Sequence, residues 1–188
     1  VQPIYTQADA IASLQSFRAV DYERWTDVIP GVRARYWNAG HLLGSASIEL
    51  EIAGQGATRP LRVLLSGDVG PEAKLLQPDP EAPTDFDYVI SESTYGDRLR
   101  EATTPELRRK HLAAEVRDAA AAGGALLMPA FAVERTQELI VDLVALMEHG
   151  EIPTAPIFLD SPLAIRATEV FRRHAESLDP SVDAARLL

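Results

Sequence analysis

The feature that most constrains this chain is a regular order in its second half, where short apolar runs alternate with capped helical stretches. Thr104-Pro105-Glu106 sets an N-cap, a proline at the first helical position and an acid in the first turn, which predicts a helix running to Gly123-Gly124. Ala125-Leu126-Leu127-Met128 follows and reads as a buried strand. Ile140, Leu143, Val144 and Met147 fall at i, i+3, i+4 and i+7, the apolar stripe of a helix that ends at Gly150. Pro156-Ile157-Phe158-Leu159 reads as the next strand, and Ser161-Pro162 begins a helix with Leu163, Ala167, Val170 and Phe171 on one face. With the strand Tyr88-Val89-Ile90 in front, this β-α-β-α-β-α order implies a parallel sheet covered by helices. Ligands of such sheets gather at the carboxyl ends of the strands, here Glu92, Phe131 and Asp160-Ser161.

The first half follows a different period. Thr6-Gln7-Ala8-Asp9 is a capping box, and Ile11, Leu14 and Phe17 after it predict a short helix packed on one face. Ser47 to Ile52 alternates strictly between polar and apolar residues, the mark of a strand with one wet face in an antiparallel sheet. Val32 to Asn38 is its expected neighbour, Gly54-Gln55-Gly56 a turn, and Leu61 to Leu65 the next strand of a small meander. Pro78 to Pro83 reads as a surface loop. Repeats, low-complexity tracts, Gly-rich phosphate loops and heptads are absent from the sequence.

Composition narrows the chemistry. The 188 residues, 46% hydrophobic and 24% charged, suffice for a packed core and argue against disorder. No cysteine is present, which removes disulfides, thiolate metal sites and cysteine nucleophiles, so any metal must rest on histidine and carboxylates. The same absence fits a reducing cytosol, and no apolar run is long enough to span a bilayer; the expectation is a soluble, cytoplasmic chain without a membrane partner. A net charge of −10 argues against a generic basic nucleic-acid coat while leaving room for a local cationic groove. The chain opens on Val1 rather than methionine, which suggests an internal piece of a longer protein.

Three polar residues stand out at predicted loops. His41, in Ala39-Gly40-His41-Leu42-Leu43-Gly44-Ser45, is placed either to bind a metal or to make structural hydrogen bonds. Asp68, directly after a strand, is placed to bridge hard cations or simply to close a turn. Glu92 opens the dense polar segment Ser91-Glu92-Ser93-Thr94-Tyr95-Gly96-Asp97-Arg98, with a cap as the alternative role. His111, His149 and His174 read as helix residues.

Taken with Pro129 to Glu138 and Asp160-Ser161-Pro162-Leu163-Ala164, these segments occur in an order that resembles the β-CASP branch of the metallo-β-lactamase superfamily, the nucleic-acid-processing hydrolases. Within it the chain looks most like prokaryotic relatives of the cleavage and polyadenylation nuclease, because Glu92-Ser93-Thr94 stands where RNase J enzymes read Asp-Ser-Thr. The resemblance implies an α/β fold: part of an αββα metallo-β-lactamase core over residues 1–97, then part of an inserted β-CASP domain with a helix-flanked parallel sheet over 98–188. It implies zinc as cofactor, with His41 a ligand of one ion and Asp68 a bridge between two, and a catalytic role for Asp68 and Glu92. It implies that Tyr95, Arg98, Arg135 and Ser161 contact phosphates, with structural roles as the alternative. The family's upstream His-x-His-x-Asp-His motif has no match here, so two ligands are expected to bind zinc weakly and to leave this segment without nuclease activity. The expected partner is RNA, with DNA as the alternative, and a second copy of the chain in a homodimer. Two other classes compete: a noncatalytic scaffold of the same family and an acidic binding module for a small metabolite.

Overall fold

In the computed structural model, residues 3–54, 56, 58–99 and 104–188 are described, with the side chains of residues 184 and 185 left out. The capping box forms as the spacing predicts, Thr6 and Asp9 closing on each other at the head of α1, Gln7–Ser13. Its apolar residues Ile11, Leu14 and Phe17 nevertheless stay exposed, so the expected one-sided packing is not made.

The sheet runs β1 Thr26–Ile29, β2 Val32–Asn38, β3 Ala46–Ile52, β4 Leu61–Leu65 and β5 Tyr88–Ile90, in that spatial order. The first four strands form the antiparallel meander, and β5 joins β4 in parallel. Part of the Gly54-Gln55-Gly56 turn lies outside the described residues.

The alternation in β3 places side chains correctly but assigns the wet face wrongly. Ser47 and Glu49 are buried, whereas Ile48, Leu50 and Ile52 on the opposite face are only partly covered. Glu49 is shielded because Arg35 Nε (3.0 Å), Arg62 Nε (3.0 Å) and Trp37 Nε1 (2.8 Å) all donate to its carboxylate. Arg35 in turn lies between the rings of Trp25 (4.6 Å) and Trp37 (4.5 Å), and Arg33 over Trp25 (4.4 Å). Long arginine stems and indoles thus cover a polar strand face with a lattice of charge-assisted hydrogen bonds and cation–π contacts. Burial alone would raise the Glu49 carboxyl, but the hydrogen bonds from Arg62, Trp37 and Arg35 prevail and hold it below the usual range.

The helices are α2 Pro105–Ala121, α3 Arg135–Glu148, α4 Pro162–Arg173 and α5 Ala184–Leu187. Thr104 caps α2 and Ser161 caps α4, each with proline in the first turn, as the sequence predicts. His111 lies in α2, while His149 and His174 are the C-cap residues of α3 and α4, so His174 sits just beyond its helix rather than within it. No described helix is long and apolar enough to cross a membrane.

The parallel sheet expected in the second half is not present among the described residues. Residues 125–128 and 156–159 belong to stretches with no strand pairing, and Leu127 and Phe158 are exposed rather than buried. A strand requires a neighbour to complete its ladder, and Pro129, Pro153 and Pro156 withdraw donors from both stretches. The two instead wall an apolar cleft of about 760 Å³ over the α3 surface, with Met128, Leu143 and Ile152 at its base.

Two apolar clusters hold the layers together. Ala113, Leu143, Leu146 and Ile152 join α2 to α3. Leu75 and Leu76, from the loop after β4, pack with Val141, Phe171 and Leu178 from the helical half, so one core spans both halves of the chain. Burying side chains of this size contributes roughly 1.5–3 kcal/mol each, which ties the loop after β4 to the helices.

Candidate metal centre

Register decides which loops meet. Asn38 pairs with Ala46, while Leu65 pairs with both Ile48 and Ile90, so the connections after β2, β4 and β5 leave the same end of the sheet. Those three connections carry His41, Asp68 and Glu92.

The first connection is folded by local polar contacts. Asn38 Oδ1 accepts the Gly40 N–H at 3.0 Å, and Ser45 Oγ accepts the N–H groups of both His41 and Leu42 at 3.0 Å. The Asp68 loop lies directly against it, Gly70 donating its N–H to the Ala39 carbonyl at 2.8 Å. A Cβ on Gly70 would stand 1.9 Å from the Gly40 carbonyl oxygen, so only glycine permits this approach.

The result is that His41 Nε2 and Asp68 Oδ2 face each other at 4.0 Å, the imidazole partly exposed and the carboxylate in solvent. Glu92 joins them through backbone: its Oε1 accepts the Val69 N–H at 2.7 Å, and its own N–H donates to Ser66 Oγ at 3.0 Å. The Val69 amide above all, then the Thr94 hydroxyl, holds the Glu92 carboxyl below the usual range, with the nearby His41 acting in the same direction.

An imidazole and a carboxylate are suitable donors for zinc, and two ligands at about 2.1 Å in tetrahedral geometry stand roughly 3.4 Å apart. His41 Nε2 and Asp68 Oδ2 stand about 0.6 Å beyond that separation, on side chains that are 40% and 76% exposed. Among the described residues no group of three or more His, Cys, Asp or Glu side chains comes together, and His41 and Asp68 stand as a pair.

The four residues expected at phosphates lie on three separate segments. Tyr95 and Arg98 lie in the exposed turn after β5, where Arg98 N–H donates to the Tyr95 carbonyl at 3.1 Å and Arg98 Nε stands 4.0 Å from Asp97. Arg135 opens α3, 3.2 Å from Glu138, and the Ser161 hydroxyl accepts the Ala164 N–H at 3.2 Å as a helix cap. Arg98, Arg135 and Ser161 are thus engaged within their own segments. Residues the sequence reading passed over shape the site more directly: Ser45 and Ser66 order the loops, and Lys74 reaches the His41 carbonyl. Their signal in the sequence is slight, a serine beside a glycine in each of two loops and one lysine in a third segment.

A mixed sheet with three polar connections at one end, followed by helices that share a core with the loop after β4, defines an α/β chain. Comparison with known proteins makes this specific. The Beta-Casp domain profile matches residues 136–187. The chain is 34% identical to Ribonuclease TTHA0252 of Thermus thermophilus over 97% of its length, 29% identical to an RNase J-like protein of Methanocaldococcus jannaschii over 95%, and 31% identical to the Drosophila melanogaster Cleavage and polyadenylation specificity factor 73 over 96%. It covers 40%, 41% and 25% of those proteins respectively. The Beta-Casp match and these relatives together make the chain similar to the β-CASP branch of the metallo-β-lactamase superfamily.

Proposed function

We propose that this chain is the central portion of a zinc-dependent RNA-processing nuclease, residues 1–97 forming part of the metal-bearing core and 98–188 part of the β-CASP domain. The observation that carries the reading is the 4.0 Å approach of His41 Nε2 to Asp68 Oδ2 at the sheet end. Its relatives' names, which include ribonucleases and an RNA-processing factor, support it.

A zinc pair supplies Lewis acidity toward a scissile phosphate and a nucleophile at neutral pH. His41 and Asp68 are the residues of this chain that would hold it. Val69 and Thr94 keep Glu92 ionised at neutral pH, so it serves as a fixed acceptor able to orient a proton-carrying group beside the site. Arg98 and Arg135 keep guanidinium donors exposed to solvent beside Asp97 and Glu138, so each can reach a phosphate from its present position.

Titrating zinc into the chain tests the reading. Weak binding is expected, abolished in both His41→Ala and Asp68→Asn, together with no RNA cleavage by the chain alone. Absence of zinc binding by the parent chain would overturn it. The alternative reading is a noncatalytic scaffold, against which the retention of His41, Asp68 and Glu92 argues; a longer form of the protein that binds RNA but never cleaves it with zinc would select it instead.

A further inference from the structure

We propose that Lys74 and Glu134 form a tether that positions the His41 loop from the head of α3. The inference rests on the reading of His41 as a metal ligand. The Lys74 ammonium donates to the His41 carbonyl and stands 3.3 Å from Glu134 Oε1. Both side chains are enclosed, 11% and 5% exposed, and Gln77 Nε2 donates to Glu134 Oε2 at 3.0 Å. One cation therefore joins the backbone of the sheet-end loop to a carboxylate that enters from the helical half of the chain.

The backbone of Glu134 is strained at the point where the tether attaches. With φ 70 and ψ −66, and the Arg135 N–H donating to the Val133 carbonyl at 3.0 Å, Glu134 is the central residue of a γ-turn with positive φ. That conformation is strained for any residue with a Cβ and free for glycine. Such strain persists only where surrounding contacts over-determine it, and it concentrates at functional sites. Here those contacts are Lys74 and Gln77, and through Lys74 they reach His41. Glu134 is a positioning residue in this scheme and touches no reacting atom.

Two variants separate positioning from simple stabilisation. Lys74→Met combined with Glu134→Gln removes both charges together, which leaves no uncompensated buried ion. Glu134→Gly relieves the turn while cutting the tether. The readout is amide hydrogen exchange at His41, Leu42 and Ser45, compared with Val141 and Leu143 in α3. We expect at least tenfold faster exchange at the loop amides in both variants, with α3 amides unchanged. Loop exchange equal to the parent's in Glu134→Gly would overturn the tether, and this variant decides the matter if the double variant does not fold. Zinc titration in parallel is the separate arm: faster loop exchange in a chain whose parent binds no zinc keeps the tether and removes the metal reading.

Discussion

Replacing Glu49 by glutamine perturbs the most enclosed carboxylate of the sheet while keeping its shape. In the parent, Arg35, Arg62 and Trp37 converge on it, and Glu49 itself has no solvent exposure. Breaking a buried ion pair typically costs about 3–5 kcal/mol. The two guanidiniums retain 23% and 27% exposure and can partly rehydrate, and the glutamine carbonyl still accepts one donor, so the expected loss is about 2–3 kcal/mol near neutral pH. Urea unfolding followed by tryptophan emission is a direct assay, because both tryptophans, Trp25 and Trp37, lie in this lattice. The folded chain holds the Glu49 carboxyl below its unfolded value, so its contribution is complete above about pH 4.3 and is lost as pH falls through the folded value. Glutamine does not titrate, and the gap between parent and variant should therefore narrow on acidification. A loss under about 0.5 kcal/mol at pH 7, or a gap that does not change with pH, would refute the view that the charge of Glu49 organises this face.

Leu76→Ala, in the core shared by sheet and helices, should cost about 2–5 kcal/mol, with sheet and helix signals lost in one transition; separate transitions would show the halves to be independent. Gly70→Ala should destabilise the chain and abolish zinc binding together, since its Cβ meets the Gly40 carbonyl; retained zinc affinity in titration would contradict this. Ser161→Ala should remove a helix cap worth about 1 kcal/mol in thermal or urea unfolding; a selective loss of RNA binding with stability unchanged would show a phosphate contact in place of the cap role.

Local rules carried well where local forces decide. β2 and β4 lie at Val32–Asn38 and Leu61–Leu65 as the alternation and flanking turns indicate, and the caps at Thr6, Thr104 and Ser161 all form. β1 was not legible, because Thr26–Ile29 is short and gains its identity only by pairing with β2. The runs at 125–128 and 156–159 have strand composition, but composition cannot supply the neighbour a strand needs. At the site, His41, Asp68 and Glu92 were legible as polar residues at strand ends, and register then brought their loops together. Lys74 and Glu134 were not, since their meeting depends on a chain separation of 60 residues that no local pattern encodes.

The two stretches without strand pairing among the described residues have a practical consequence for handling the chain. Leu126, Leu127, Ile157 and Phe158 are exposed on backbone that has no ladder partner, the arrangement that invites strand pairing between molecules. Pro129, Pro153 and Pro156 interrupt these stretches and limit how long any intermolecular ladder can grow. Self-association should therefore rise with concentration and fall when Leu127 or Phe158 is replaced by lysine, so colloidal behaviour in solution becomes a readout of how much of this surface stays open.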